Sequence, residues 1–194
     1  MTTSASAPRQ VLLFSGHLID APSRAEPRFP MAKAPAAARR IADLLERLGA
    51  GPGDLALTQG AAGGDLLFAE ACLARGVPVR LLLPLPEPAF IERSILSCDH
   101  GPEWRDRYLA LRARLAEPPH VADDELGALA AGEDPWERGN RWLLDSALSY
   151  GAQRLRFITL WDGGGADGPG GTRHMVDEVR RAHGQVLRID THEL

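Results

Sequence analysis

The stretch LALTQGAAGGDLLFAEACLARG, at residues 55–76, predicts a buried strand, a glycine-rich turn and a helix. Glycines interrupt the apolar run, Asp65 stands where a helix cap is expected, and Gly76 ends the helix where a left-handed residue is favoured. A turn without Cβ atoms brings backbone N–H groups close to a ligand, and the helix N-terminus attracts phosphate or carboxylate. The order G-x-x-G-G-D matches neither the dinucleotide fingerprint nor the phosphate loop. A tight connection that binds nothing is therefore the alternative for this turn alone.

Apolar runs and helical periodicity predict alternating strands and helices in the rest of the chain. Further strands are expected at 11–14, 77–83, 154–161 and Gln185–Ile189. Helices are expected at 35–48, 88–96, 103–115, 134–150 and 172–182. This order predicts an α/β fold with right-handed crossovers and a parallel sheet. The acidic segment 117–133 is the interior stretch with the weakest prediction of regular structure.

Length and composition predict one α/β domain at 10–190, with a disordered N-terminus at 1–9 and a tail at 191–194. The formal net charge of −4 argues against a general nucleic-acid surface. Cys72 and Cys98 lack metal-ligand spacing, so no metal is expected. The chain has no apolar stretch long enough to span a membrane and no apolar signal core at its N-terminus, so we expect a cytoplasmic protein without a membrane partner.

Ligands of an open parallel sheet bind outside the carboxyl ends of the strands, where the strand order reverses. Three unusual loops leave predicted strands at this edge: Ser15-Gly16-His17, residues 60–65 and residues 162–172. Two of these loops are glycine-rich and lead into helix N-termini. Together they favour an anionic ligand with more than one polar group, such as a nucleotide.

Polar residues elsewhere extend this predicted site. Arg28 stands beside Phe29 and Pro30 near the end of a proline-rich segment, in which Arg24 is expected to lie on a solvated connector. Arg138, Asn140 and Arg141, early in a predicted helix, suit charge-assisted contacts to phosphate, with an ordinary solvated helix face as the alternative. The expected ligand-binding residues are Ser15, Gly16, His17, Arg28, Gly60, Ala61, Gly63, Gly64, Asp65, Arg138, Asn140, Arg141, Gly170, Gly171 and Thr172.

Four motifs resemble the SLOG superfamily of Rossmann-like domains, which includes the Lonely Guy phosphoribohydrolases and the nucleotide-fold domain of DNA-processing protein A. They are SGH at 15–17, GAAGGDLLFAEACLARG at 60–76, RGNRWLLDSAL at 138–148 and GPGGT at 168–172. The patterns GHLID, RFP and NRW are also similar to bacterial SLOG-like domains found beside nucleotide cyclase or helical-repeat regions. The resemblance spans residues 11–189.

The resemblance implies a Rossmann-like three-layer αβα sandwich with a mostly parallel sheet of about five to seven strands. It also implies a nucleotide or nucleotide-derived ligand bound by residues 60–65 and 170–172, no required cofactor, and a homo-oligomer. Enzyme members carry P-G-G-x-G-T-x-x-E, whose glutamate assists cleavage of an N-glycosidic bond. Aligning Gly171-Thr172 on that motif puts Met175 at the glutamate position. Methionine cannot act as an acid or a base, so this departure argues against phosphoribohydrolase activity.

Three functions are compatible with the sequence. One is binding or sensing of a nucleotide, and another is a non-catalytic scaffold. The remaining function is a nucleotide N-glycosidase, in which a carboxylate near the sugar stabilises oxocarbenium charge or activates water. Its candidate catalytic groups are His17, Asp20, Asp65 and Glu70, each of which also has an ordinary structural explanation. A reductase using NAD(P) is disfavoured because Thr58-Gln59 stands where an acidic residue would bind the ribose.

Overall fold

The computed structural model describes residues 7–164 and 172–194. Within them, six strands form one parallel sheet in the order β4-β3-β2-β1-β5-β6. The strands are β1 (Val11–Gly16), β2 (Leu55–Thr58), β3 (Val79–Leu83), β4 (His120–Val121), β5 (Leu155–Leu160) and β6 (Gln185–Ile189). This architecture confirms the predicted α/β fold with a parallel sheet.

Seven α-helices accompany the sheet in the described part of the chain. They are α1 (Ala34–Arg47), α2 (Gly64–Ala74), α3 (Glu87–Ile91), α4 (Gly101–Arg112), α5 (Ala122–Leu126), α6 (Pro135–Leu148) and α7 (Thr172–Arg181). Helix α3 continues into a π turn at Glu92–Leu96. None of the helices in the described ranges is both long and apolar enough to cross a lipid bilayer.

The side chains of β1 alternate between two apolar cores, because successive strand residues point to opposite faces of a sheet. Leu12 and Phe14 pack into the core that contains α1, α2 and α4. Val11 and Leu13 pack into the core that contains α6 and α7. All four side chains are buried. The sheet is therefore covered by helices on both faces, as the apolar runs of the strands require.

The connectivity of the sheet creates one reversal of strand order. Strands β1 to β4 follow one another outward, and β5 then returns to the opposite side of β1. Strands β1 and β5 pair along their full length, from Val11 opposite Leu155 to Gly16 opposite Leu160. The connections that follow β1 and β5 consequently diverge above this pair, which leaves a crevice at their carboxyl ends.

The structure also shows order where the sequence predicts little regular structure. Segment 117–133 contains β4, which pairs with β3, and α5, which follows it at once. A strand of two residues has no detectable periodicity, so only its pairing reveals it. Arg9, predicted to be disordered, is held by Asp54 at 2.7 Å. The predicted tail forms a 3-10 turn at Thr191–Glu193.

Candidate functional site

A cavity of about 670 Å³ lies at the carboxyl edge of the sheet, beside the reversal between β1 and β5. Ser15 and Gly16 line it from the end of β1, and Thr172 lines it from the start of α7. The connections after β1 and β2, the first turns of α6, and Ser97 and Cys98 form other parts of its walls. This cavity lies at the edge where the sequence predicts a ligand.

The structure divides the predicted site residues into three groups. Those that line the cavity are Ser15, Gly16, His17, Arg28, Ala61, Asp65, Asn140 and Thr172, together with the catalytic candidate Asp20. Those that are not among its lining residues are Gly60, Gly63, Gly64, Arg138, Arg141 and the catalytic candidate Glu70. Gly170 and Gly171 lie outside the described residues.

The connections after β1 and β2 are joined to each other by their backbones. Leu18 and Gly63 form an isolated antiparallel bridge, and the N–H of Ile19 donates to the carbonyl of Ala62 at 3.1 Å. Gly63 has a φ of 109°, and a Cβ at this position would lie 2.8 Å from the nitrogen of Ile19. Gly63 therefore serves the close approach of two backbones, instead of the ligand contact that the sequence predicted for it.

Asp65 organises the turn after β2 from within. Gly63 occupies the N-cap position of α2, so Asp65 is not the helix cap expected from the sequence. Its carboxylate instead accepts hydrogen bonds from the N–H groups of Gly60 at 3.2 Å and Ala61 at 3.4 Å. Burial raises the pKa of Asp65 to about 6, although these hydrogen bonds lower it. The N–H groups that the sequence assigned to a phosphate are thus used by Asp65.

His17 connects the ends of β1 and β5. It is buried, and its Nε2 accepts a hydrogen bond from the N–H of Asp162 at 3.3 Å. The Asp162 carboxylate lies 3.4 Å from the same nitrogen. Burial raises the pKa of Asp162, but the N–H of Gly164, the His17 ring and the charge of Arg28 outweigh that effect and lower it. His17 therefore holds the β5 connection against the cavity wall.

Asp20 closes the loop that carries the two arginines. Its carboxylate accepts hydrogen bonds from the N–H of Arg28 at 3.0 Å and of Phe29 at 2.9 Å. The Phe29 side chain is buried in the core and anchors the end of the loop. Arg24 and Arg28 both line the cavity, and Arg24 is exposed on its loop, as expected for a solvated connector, with its Nε 3.4 Å from the Asp20 carboxylate. Asp20 is a loop-holding residue in this arrangement.

Helix α6 forms the opposite wall. Asp134 caps it by accepting hydrogen bonds from two backbone N–H groups of its first turn, and Trp136 lines the cavity. Gly139 lets the helix approach the sheet, because a Cβ there would lie 2.5 Å from Cβ of Pro84. The next residue, Asn140, accepts a hydrogen bond from Nε2 of Gln59 at 2.8 Å. Gln59 lines the cavity although it is not among the ligand-binding residues expected from the sequence.

Three charged candidates point to other partners. Arg138 is buried, donates to the carbonyl oxygens of Ala122 and Gly127, and contacts Asp123, so it anchors α5. Arg141 lies on the surface and pairs with Glu137 at 3.2 Å. Glu70 pairs with Arg107 at 3.0 Å. The cavity-lining positions of α6 are 136, 137, 140 and 143, a helical stripe to which positions 138 and 141 do not belong.

Met175 lies in the core and not in the cavity. It is 1% exposed and packs in the same apolar cluster as Val176 and Val179. The position aligned with the catalytic glutamate of the enzyme motif thus faces the sheet. Within the described ranges, no group of three or more His, Cys, Asp or Glu side chains is arranged to hold a metal ion.

The fold and the cavity define the class of this protein as a parallel α/β protein with a pocket at the carboxyl edge of its sheet. No family model matches the chain, and no curated protein matches it. Among solved structures it is similar to that of the Moco carrier protein from Chlamydomonas reinhardtii, with 12% sequence identity and a TM-score of 0.37. The alignment covers 95% of this chain and 91% of that chain.

Proposed function

We propose that this protein binds or senses a nucleotide or a nucleotide-derived small molecule in the cavity at the carboxyl edge of the sheet. The observation that carries the proposal is the position of the cavity beside the β1–β5 reversal, where connections from several strands converge. Open α/β sheets bind their ligands at this place. The volume, about 670 Å³, falls within the range of roughly 300–1,000 Å³ that small-molecule sites occupy.

The lining of the cavity supports an anionic ligand with an apolar part. Arg24 and Arg28 stand on one wall, and guanidinium groups suit phosphate because they donate two parallel hydrogen bonds. Thr172 begins α7, and a helix N-terminus favours negative charge. Trp136 and Leu143 on α6 offer apolar surface to a base. We assign the phosphate to the arginine wall and the base to the α6 wall.

A nucleotide N-glycosidase is the second candidate, and one observation favours it. The buried carboxyl of Asp65 lines the cavity with a pKa raised to about 6. A carboxyl in this range exchanges protons close to neutral pH, as a general acid or base must. The burial of Met175 weighs against this candidate. A scaffold without a ligand is the third candidate, and a homo-oligomer and a cytoplasmic location are further predictions.

The test of the proposed function starts with native mass spectrometry of the purified protein. Titration calorimetry then follows with nucleoside monophosphates, NAD and cyclic nucleotides, and chromatography measures any release of free base. We expect an intact nucleotide to bind without turnover. Release of base would favour the glycosidase, and binding of none of these compounds would favour the scaffold.

A matched pair of variants locates the binding site. Arg28→Ala removes a cation from the cavity wall and should weaken nucleotide binding by about tenfold to hundredfold, because hydrogen bonds to charged groups are strong. Arg39→Ala removes the same charge from an exposed position on α1 and should leave the affinity unchanged. Equal affinities of the two variants would contradict the proposed location of the phosphate.

A further inference from the structure

Gln59 occupies a position that the fold alone does not explain. It follows the last residue of β2 directly, is 9% exposed, and lines the cavity. Its side chain is a carboxamide, which prefers water unless its polar atoms are paired. One pair is present, because Nε2 of Gln59 donates to Oδ1 of Asn140 at 2.8 Å.

The carboxamide of Gln59 has hydrogen-bonding capacity beyond this pair. A primary amide carries two N–H donors and a carbonyl acceptor. The hydrogen bond to Asn140 uses one N–H, and no hydrogen bond within residues 7–164 and 172–194 reaches the carbonyl oxygen of Gln59. Gln59 therefore offers one acceptor and one further donor at the cavity wall.

Close packing of α6 keeps this amide in place. A Cβ on residue 139 would lie 2.5 Å from Cβ of Pro84 and 3.3 Å from Nε2 of Gln59. The glycine at 139 consequently serves two purposes, since it brings α6 onto the sheet and leaves space for the Gln59 amide. The Gln59–Asn140 hydrogen bond fixes the orientation of the amide. A group that recognises a ligand by hydrogen bonds needs a fixed orientation, and an apolar contact would not provide it.

We infer that Gln59, positioned by Asn140, determines which ligand the cavity accepts by hydrogen bonding to an edge that carries a donor beside an acceptor. Nucleobases and primary carboxamides present such edges, and glutamine pairs with them through two hydrogen bonds. This inference rests on the proposed function. Gln59 is the specificity-determining residue, and Asn140 is a positioning residue that acts through it.

The test compares adenosine 5′-monophosphate with purine riboside 5′-monophosphate, which lacks the exocyclic amino donor. We expect the wild-type protein to bind the first compound about tenfold to hundredfold more tightly. In Gln59→Leu this ratio should fall to about one. A ratio near one in the wild-type protein, or a wild-type ratio in the leucine variant, would overturn the inference while leaving nucleotide binding intact. If the wild-type protein binds neither compound but binds another nucleotide of the panel, the inference fails and the proposed function stands, whereas binding of no nucleotide overturns both.

A second set of variants distinguishes ligand recognition by Gln59 and Asn140 from a purely structural role of this pair. Gln59→Glu keeps the size of the side chain, but a carboxylate only accepts hydrogen bonds. This variant should therefore bind guanosine 5′-monophosphate, whose N1–H and N2–H donors are adjacent, more tightly than adenosine 5′-monophosphate. Asn140→Asp keeps the acceptor for Gln59 and should retain the wild-type ratio, whereas Asn140→Leu should lower it. A purely structural pair would change all affinities in parallel, and that result would also overturn the inference.

Discussion

The carboxylate of Asp65 accepts a hydrogen bond from the backbone N–H of Gly60 at 3.2 Å, across the turn that separates β2 from α2. An acceptor supplied by the chain itself thus takes the place of an external anion in this glycine-rich turn. The turn is preorganised without a ligand, and phosphate recognition has to come from elsewhere in the cavity. The arginine-bearing loop and the start of α7 are the groups that remain for it.

The stability of the protein should depend on pH through Asp65. Folding raises the pKa of its carboxyl from 3.8 to about 6, so the unfolded chain releases this proton more readily than the native protein. The contribution of Asp65 to stability is full below about pH 4 and falls by about 3 kcal/mol as the pH rises past 6. Urea unfolding of wild type and Asp65→Asn between pH 4 and pH 7 measures this difference. If the free energy of unfolding changed with pH in the same way in both proteins, the prediction would be contradicted.

Gly63→Ala should destabilise the protein by about 1–3 kcal/mol, because the substitution combines a positive φ with a Cβ 2.8 Å from the nitrogen of Ile19. Gly51→Ala is the matched control, since a Cβ at that position meets nothing within 4 Å. We expect the control to change the free energy of unfolding by about 0.5 kcal/mol or less. Equal midpoints of Gly63→Ala and Gly51→Ala in thermal unfolding would show that the close approach of the connections after β1 and β2 does not contribute to stability.

Asp20→Ala should loosen the arginine-bearing loop. The substitution removes the acceptor for the N–H groups of Arg28 and Phe29, whose amide hydrogens should then exchange about tenfold faster in hydrogen-exchange mass spectrometry. Asp43→Ala, at an exposed position on α1, should leave this exchange unchanged. We also expect weaker nucleotide binding in Asp20→Ala, with no loss of overall fold. Unchanged protection of the loop would rule out its closure by Asp20.

Arg138→Ala should lower stability by about 1–3 kcal/mol, because the carbonyl oxygens of Ala122 and Gly127 lose a buried donor. Arg141→Ala removes an exposed ion pair and should have an effect of about 0.5 kcal/mol or less. Chemical unfolding compares the two variants at equal net charge. A larger loss in Arg141→Ala would contradict the structural role assigned to Arg138.

The sequence predicts most of the sheet and the edge where the cavity opens, because strand periodicity and glycine positions are local signals. It does not predict what holds the cavity together. The charges of Arg138 and Arg141 favour a place in the site, although the helical period already separates both residues from the stripe that contains Asn140. The role of Asp20 depends on N–H groups of residues that approach only in the folded chain. Gln59 had one recognisable signal, a polar residue directly after a buried strand.

The antiparallel bridge between Leu18 and Gly63 also bears on how a ligand enters and leaves. It ties the first residues of the connection after β1 to the connection after β2, so these two segments should move together. Two other parts of the cavity wall are held by single side chains. Asp20 closes the later, arginine-bearing part of the β1 connection, and Gln59 reaches Asn140 on α6 through one hydrogen bond. Exchange rates of a bound nucleotide should accordingly respond more strongly to Asp20→Ala and Asn140→Leu than to Asp43→Ala, which lies outside the cavity.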